Sequence, residues 1–145
     1  MSDFDAVLSR LPHAGPMLFI DRVVSVADPV LVSELTLRDD FILNREGEVS
    51  PLVAIELFAQ SAAALMAHRS AKANAPKVSG ALLGTRRLDC HVNVLRVGDV
   101  LQSEVREIFG AGALAQFDCV LYRVGGDMRE RIAEGSINVA AGAIG

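Results

Sequence analysis

A carboxyl and an amide interrupt the one long apolar helix this sequence predicts: Glu56 and Gln60, within PLVAIELFAQSAAALMAHR at residues 51–69. Their i, i+4 spacing sets both side chains on one helix face, about a turn apart. Burying an ionised carboxyl without partners costs roughly several kcal/mol. Glu56 is therefore expected to be hydrogen-bonded, shifted in pKa or turned toward a cavity. Three histidines accompany it. His13 lies in LPHAGP, where Pro12, Gly15 and Pro16 hold the chain in a loop. His68 falls near the helix end, where an imidazolium suits the dipole, and His91 on the exposed side of a strand, so both read as structural. No HxH or HxxxH pairing is present, and neither a metal nor a cofactor is expected. Cys90 and Cys119 form no CxxC and read as reduced thiols packed as small hydrophobes. Ser9, Ser61 and Ser136 lack a nucleophile-elbow context.

The chain that must position these groups has 145 residues and is 51% hydrophobic, which suits one domain, residues 1–145, with its own core. A formal net charge of -4 with interleaved signs leaves no basic stripe, so nucleic acid is a poor candidate partner. The longest unbroken apolar run, Ala62 to Ala67, is far short of the roughly 20 residues a bilayer requires. The start, MSDFD, is acidic where a secretory signal needs positive charge, and a cytoplasmic location is expected.

Residues 1–10 suit a short helix, with Ser2 or Asp3 as cap and Phe4, Val7 and Leu8 as its apolar side. Met17–Val26 reads as a strand, Asp28-Pro29 as a turn, and Val30–Arg38 as a second strand completing a hairpin. Residues 39–50 are charged with an apolar clasp at Phe41–Leu43, a surface loop leading to Ser50-Pro51, a cap followed by a first-turn proline. Ser70–Ser79 is small and polar, an exposed connection. Gly80–Val94 alternates as a half-buried strand, with Leu88, Cys90, Val92 and Val94 on one side. Gly98-Asp99 turns into a strand at Val100–Phe109, Gly110–Gly112 into Leu114–Val124, and Gly125-Gly126-Asp127 into Met128–Ala140. Two strands, one buried helix and four strands in hairpin succession make an α+β arrangement, an antiparallel sheet with the helix on one face.

Two segments carry a family resemblance. LPHAGPMLFIDRV resembles the LPHRxPxLLxDRV opening of the β-hydroxyacyl-acyl carrier protein dehydratases, and IELFAQSAAAL resembles their central helix. LLGTRRLDCHVNVLRVGD, which includes Gly84, is similar to the family's strand after the helix. The resemblance covers about residues 8 to 140 and implies a hotdog fold, in which a curled antiparallel sheet wraps one long helix. Better-known members pair the helix carboxylate with a loop histidine fourteen residues upstream. That position here is Ile42, and residues 40–51 hold no histidine. Their Pro-Gly at the helix start is Ser50-Pro51 here, which removes one amide donor. In both respects the chain resembles a divergent branch, the predicted 3-hydroxyacyl-carrier-protein dehydratases of aryl-polyene-type biosynthetic clusters.

That resemblance implies loss of water from a 3-hydroxyacyl thioester, giving a trans-2-enoyl product. Such a reaction needs a base at C2, an acid for the departing hydroxyl and a donor to the thioester oxygen. By resemblance, His13 is the base and Glu56, with a raised pKa, the acid; Gln60 orients Glu56 or a water, and the amides of Leu52 or Val53 face the thioester. Gly84 joins the substrate-binding set. His13 has a plainer alternative role, tying its loop to the sheet, and Glu56 one of capping a local backbone group. Arg86-Arg87 suit a phosphopantetheine phosphate or an acidic carrier protein, or simply a solvated strand edge. The substrate would ride on acyl carrier protein or CoA, within a homodimer or higher hotdog oligomer whose sites lie at the subunit interface. Small residues at Ala59, Ala62, Ala63, Ala64 and Ala67 suit such close approach. Two rivals stand beside this reading: a hotdog thioesterase, and a non-catalytic subunit bound to an active second hotdog partner.

Overall fold

The computed structural model describes residues 17–73, 78–111 and 113–143. The expected first helix and His13 lie outside them. In chain order the elements are β1 (Arg22–Ala27), β2 (Val30–Thr36), β3 (Glu48–Val49), α1 (Val53–Lys72), β4 (Val78–Cys90), β5 (Leu95–Arg96), β6 (Val100–Ala111), β7 (Leu114–Gly125) and β8 (Met128–Ala143). Six strands form one antiparallel sheet in the order β1-β2-β6-β7-β8-β4, and β3 pairs with β5 apart from it. The helix packs on the sheet's inner face against β2, β4, β6 and β8.

Alternation selects that inner face. Leu31, Ser33 and Leu35 of β2, Leu101, Ser103 and Val105 of β6, and Ala115, Phe117, Cys119 and Leu121 of β7 all point in and are buried. A register shift between Leu121 and Tyr122 lets these consecutive residues both be buried. On the outer face Tyr122 lies under the Arg129 guanidinium, 3.6 Å from the ring centroid. Helix α1 is buried on most of its circumference, from Val53 and Ala54 through the run Gln60–Ala67 to Ser70. A helix covered on so many sides must be apolar on so many sides.

Several sequence expectations change. The first strand begins at Arg22 rather than Met17, because Gln60 holds the preceding main chain against the helix. The helix runs from Val53 to Lys72 rather than 51 to 69. Its first hydrogen bonds, Val53 N–H to Ser50 O and Ala54 N–H to Pro51 O, span three residues and leave 51–52 as a turn. Ser70 is thus a buried helical residue, not part of an exposed connection, and β4 begins at Val78. The loop at 39–50 contains β3, and of its apolar clasp only Phe41 turns in, edge-on to Phe19 with centroids 4.8 Å apart; Ile42 and Leu43 are exposed. Strand β6 continues to Ala111, into the expected Gly110–Gly112 turn.

Of the last four long strands, β6, β7 and β8 follow one another in hairpin succession as expected, and β4 does not join them in sequence order. Strand β4 pairs with β8 across the sheet, and β6 sits between β2 and β7. Arg87 and Asp89 of β4 are exposed as the alternation expects, but as the outermost strand β4 has one neighbour, and Cys90, expected on its buried side, is exposed as well. Cys90 is therefore not packed, whereas Cys119 is, and burial raises its thiol pKa well above the usual range. Among the described residues no helix is long and apolar enough to cross a membrane.

Two contacts fix the sheet at its ends. Gly135 of β8 lies so close to β4 that a Cβ there would collide with the Arg87 carbonyl oxygen. Arg69, near the helix end, grips Asp28 of the β1–β2 turn through Nε at 2.8 Å and Nη2 at 2.6 Å, and reaches Glu107 of β6 at 3.1 Å. Gly135→Ala should shift backbone and destabilise by about 1–3 kcal/mol; an unchanged denaturation midpoint would refute the close approach. The Arg69 bond holds the Asp28 carboxyl below its usual 3.8. A depressed carboxyl contributes stability above the unfolded value and loses it as pH falls through the lower folded value. The stability gap between wild type and Arg69→Met should accordingly narrow below pH 3.8; a gap that widens in acid would contradict the pairing.

Candidate active site

Gln60 is wholly buried, yet all of its amide's hydrogen-bonding hydrogens find acceptors. Its Oε1 accepts the Phe19 main-chain N–H at 2.8 Å. Its Nε2 donates to the Met17 carbonyl at 2.8 Å and to Glu56 Oε1 at 3.1 Å. The i, i+4 pair anticipated on the helix is thus in contact, and the amide also reaches the chain just after the LPH opening. Sequence reasoning missed Met17 and Phe19, since both act through main-chain atoms that carry no side-chain signature.

Glu56 is half-buried. Together with Ile55 and Ala59, also half-buried, and Leu52, 61% exposed, it lies on a stripe at i, i+3, i+4 and i+7 that the chain's own sheet leaves open. The carboxylate is therefore supported from within by Gln60 and approachable from one side of the helix.

At the helix start Ser50 engages both expected donors. The Leu52 N–H reaches Ser50 Oγ and the Val53 N–H reaches Ser50 O, each at 3.2 Å. Ser50 caps the turn as anticipated, two residues further from the helix proper. Gly84 lies on β4 opposite Asn138 of β8, and a Cβ there would meet nothing within 4 Å. Arg86 donates to Gln116 at 2.9 Å and Arg87 to Asp89 at 3.2 Å. His91 is exposed, 3.8 Å from Glu134. Beside Phe19 a cleft of about 330 Å³ opens between Leu18, Asp21, Arg38, Phe41 and Ile42. Ile42, at the position where better-known dehydratases carry histidine, thus lines a cleft and is exposed.

Three buried serines seat the helix. Ser61 Oγ donates to the Leu57 carbonyl at 2.7 Å and contacts Ser33 Oγ at 2.8 Å and Ser103 Oγ at 3.1 Å. Ser61 has one hydrogen, shared between the Leu57 carbonyl and Ser103 Oγ, and its lone pairs can accept from Ser33. Those two serines are cross-strand partners on β2 and β6. The node sets the helix's rotation over the sheet and so the direction in which Glu56, one turn earlier, points.

The sequence pattern of a family described as ApeP-like, ApeP dehydratase, matches residues 6–143. No curated protein sequence matches. Among solved structures the chain is similar to the dehydratase heterocomplex ApeI:P from Xenorhabdus doucetiae, with 24% identity over 92% of this chain and 89% of that one, at a TM-score of 0.84. It is also similar to a thioesterase variant from Pseudomonas aeruginosa (14% identity, 99% and 96% covered, TM-score 0.70) and to a hypothetical thioesterase with coenzyme A from Streptococcus pneumoniae (12% identity, 83% and 84% covered, TM-score 0.63). These structural likenesses establish the hotdog fold.

Ser61→Ala should leave two buried hydroxyls without their shared partner and cost about 1–3 kcal/mol in chemical denaturation; a variant as stable as wild type would remove the serine node from the account of helix seating.

Proposed function

This chain belongs to the ApeP-like dehydratase family, and from that premise we propose that it removes water from a 3-hydroxyacyl thioester carried on an acyl carrier protein, with Glu56 as acid and His13 as base. The observation that carries the reading is the Gln60 amide, which holds Glu56 and Met17 at one point. Met17 follows His13 by four residues, and four residues of extended chain reach about 13 Å. An imidazole on the LPH loop is thereby within chain reach of the helix carboxylate, in a chain whose loop position at Ile42 holds no histidine.

In this reading the base takes a C2 proton while Glu56 protonates the departing 3-hydroxyl. Gln60 orients Glu56. The thioester oxygen faces the helix start, where the amides of Leu52 and Val53 lie at the positive end of the dipole once Ser50 yields one of them. Gly84 and Arg86 of β4 would border the carrier arm, in a domain we take to span residues 1–145.

The open stripe through Leu52, Ile55, Glu56 and Ala59 supports a site completed by another subunit. The solved Xenorhabdus structure is a dehydratase heterocomplex, and we propose a second hotdog subunit, either another copy or a distinct dehydratase, as the partner here. The setting would be the cytoplasm, in acyl-chain synthesis of the fatty-acid type.

Incubation with a 3-hydroxyacyl thioester should produce the absorbance of a conjugated enoyl group; release of free thiol instead would point to hydrolysis, the thioesterase alternative. Glu56→Gln should lower turnover at least about 10²-fold, with His13→Ala similar, while the fold survives. Near wild-type turnover of His13→Ala would overturn the base assignment. Turnover seen only after adding a second hotdog dehydratase, and unaffected by Glu56→Gln, would make this chain the non-catalytic subunit.

A further inference from the structure

We infer that the end of the sheet at the β6–β7 turn docks onto an anionic lipid bilayer, with Phe109, Leu114 and Leu83 entering the membrane interface. Such docking is independent of the reaction at Glu56. Residues 78–85 of β4, 108–117 across the β6–β7 turn and 135–143 of β8 hold none of the chain's 14 basic and 18 acidic residues. These stretches, far apart in sequence, meet in the sheet: Val78 pairs with Ala143, Leu114 with Ala140, and Ala111 with Leu114. Charge is thus missing from one end of the sheet and not merely from one segment.

Large apolar side chains stand exposed at that end. Phe109 is 60% exposed, Leu83 59% and Leu114 54%, around a cleft of about 260 Å³ that Arg86, Gln116 and Asn138 also line. Ile108 and Leu82 are exposed beside them. Apolar side chains left in water forgo the gain of burial, and a contiguous patch of them marks a surface that meets a partner.

Polarity rises in one direction only. Along the outer face, Phe109 and Leu114 give way to the neutral Gln116 and Asn138, and these to a band in which Arg87, Arg106, Asp118 and Glu134 line one cleft. A protein–protein interface has its apolar core ringed by a polar rim. Here the apolar residues occupy the extremity and the polar groups lie behind them, which matches the passage from acyl chains through headgroups to water.

The cations suit an anionic surface. Arg69 at the helix end is engaged by Asp28 and Glu107, the two carboxylates it meets at this end of the sheet. Lys72, exposed in the last helical turn, is close enough for its charge to favour the Asp28 carboxylate. Arg86 donates to a neutral amide, that of Gln116, at 2.9 Å. Lys72 and Arg86 therefore offer positive charge behind the apolar tip, at the depth of lipid phosphates. A chain of formal net charge -4 is repelled by an anionic surface in most orientations. Presenting this end avoids that repulsion.

The chain has no tryptophan, so a single introduced one reports its own surroundings. Phe109→Trp tests the apolar end, and Met128→Trp the opposite end, beside the β7–β8 turn, where Met128 is 70% exposed. Both full-length variants are mixed with phosphatidylcholine vesicles containing about one-third phosphatidylglycerol. The Phe109→Trp emission should shift to the blue and be quenched by lipid brominated high on its acyl chains, with neither change in Met128→Trp. In co-sedimentation, wild type should bind these vesicles, and the pair Phe109→Ser with Leu114→Ser should lower the partition coefficient at least about 10-fold. Lys72→Glu, which alters no apolar residue of the patch, should lower it about 10-fold and serves if the serine pair does not fold. Wild type that stays in the supernatant, or two tryptophans that respond alike, would overturn the proposal. So would a serine pair that splits a larger particle in solution while binding vesicles as wild type does, since the end would then be an interface between copies of this chain.

Discussion

The arrangement around the central helix depends on one fully satisfied, fully buried amide. An amide closed off from water must find partners for its carbonyl oxygen and both hydrogens, or lose about 1–3 kcal/mol for each group left unpaired. Gln60 finds one on its own helix and two on the main chain of residues 17–19. Those two bonds take the place of sheet pairing there, which is why β1 starts only at Arg22. Phe19, held in this way, packs edge-on against Phe41 and brings in the one residue of the 41–43 segment that turns toward the core. A single side chain thus links the helix, the lead-in to the sheet and the loop before the helix.

Orientation of the helix is set by a second, separate polar node. Ser61 Oγ meets the hydroxyls of Ser33 and Ser103 on two paired strands, and its own hydrogen can go to Ser103 or to Leu57 O on the helix. The helix has apolar residues nearly all round, so hydrophobic burial alone would tolerate rotation about its axis. Directional hydrogen bonds remove that freedom, at Ser61 against β2 and β6 and at Gln60 against the lead-in. The stripe left open carries Glu56. At the far end, Arg69 ties the last turn to the β1–β2 turn and to β6, so both ends of the helix are held to the same side of the sheet.

The family and the hotdog fold were legible because each rests on local signals. The alternation of Leu31, Ser33 and Leu35, the Asp28-Pro29, Gly98-Asp99 and Gly126-Asp127 turns, and the apolar run after Ser50-Pro51 all stand in the sequence, and each element appears in the structure. The helix pair Glu56 and Gln60 was legible too, since i, i+4 spacing settles their contact once the helix forms. Strand order was not. A strand's neighbours depend on which edges meet after the sheet curls, and hairpin turns report only on successive strands; β4, which follows the helix, therefore pairs with β8 unannounced. The exposure of Cys90 follows from that edge position and not from the alternation of the strand's residues.

By itself, then, the sequence determined the element types, the helix carboxylate with its neighbouring amide, and the family to which the chain belongs, because these depend on spacing along the chain and on motifs a few residues long. Only the tertiary structure decided that Gln60 reaches back 43 residues to the Met17 carbonyl, that Ser50 occupies the amides of the first turn, and that Leu52, Ile55, Glu56 and Ala59 form the face left open. Those outcomes rest on main-chain donors and acceptors, which every residue shares and no sequence pattern distinguishes, so they come into being only where the fold brings distant backbone and a particular side chain together.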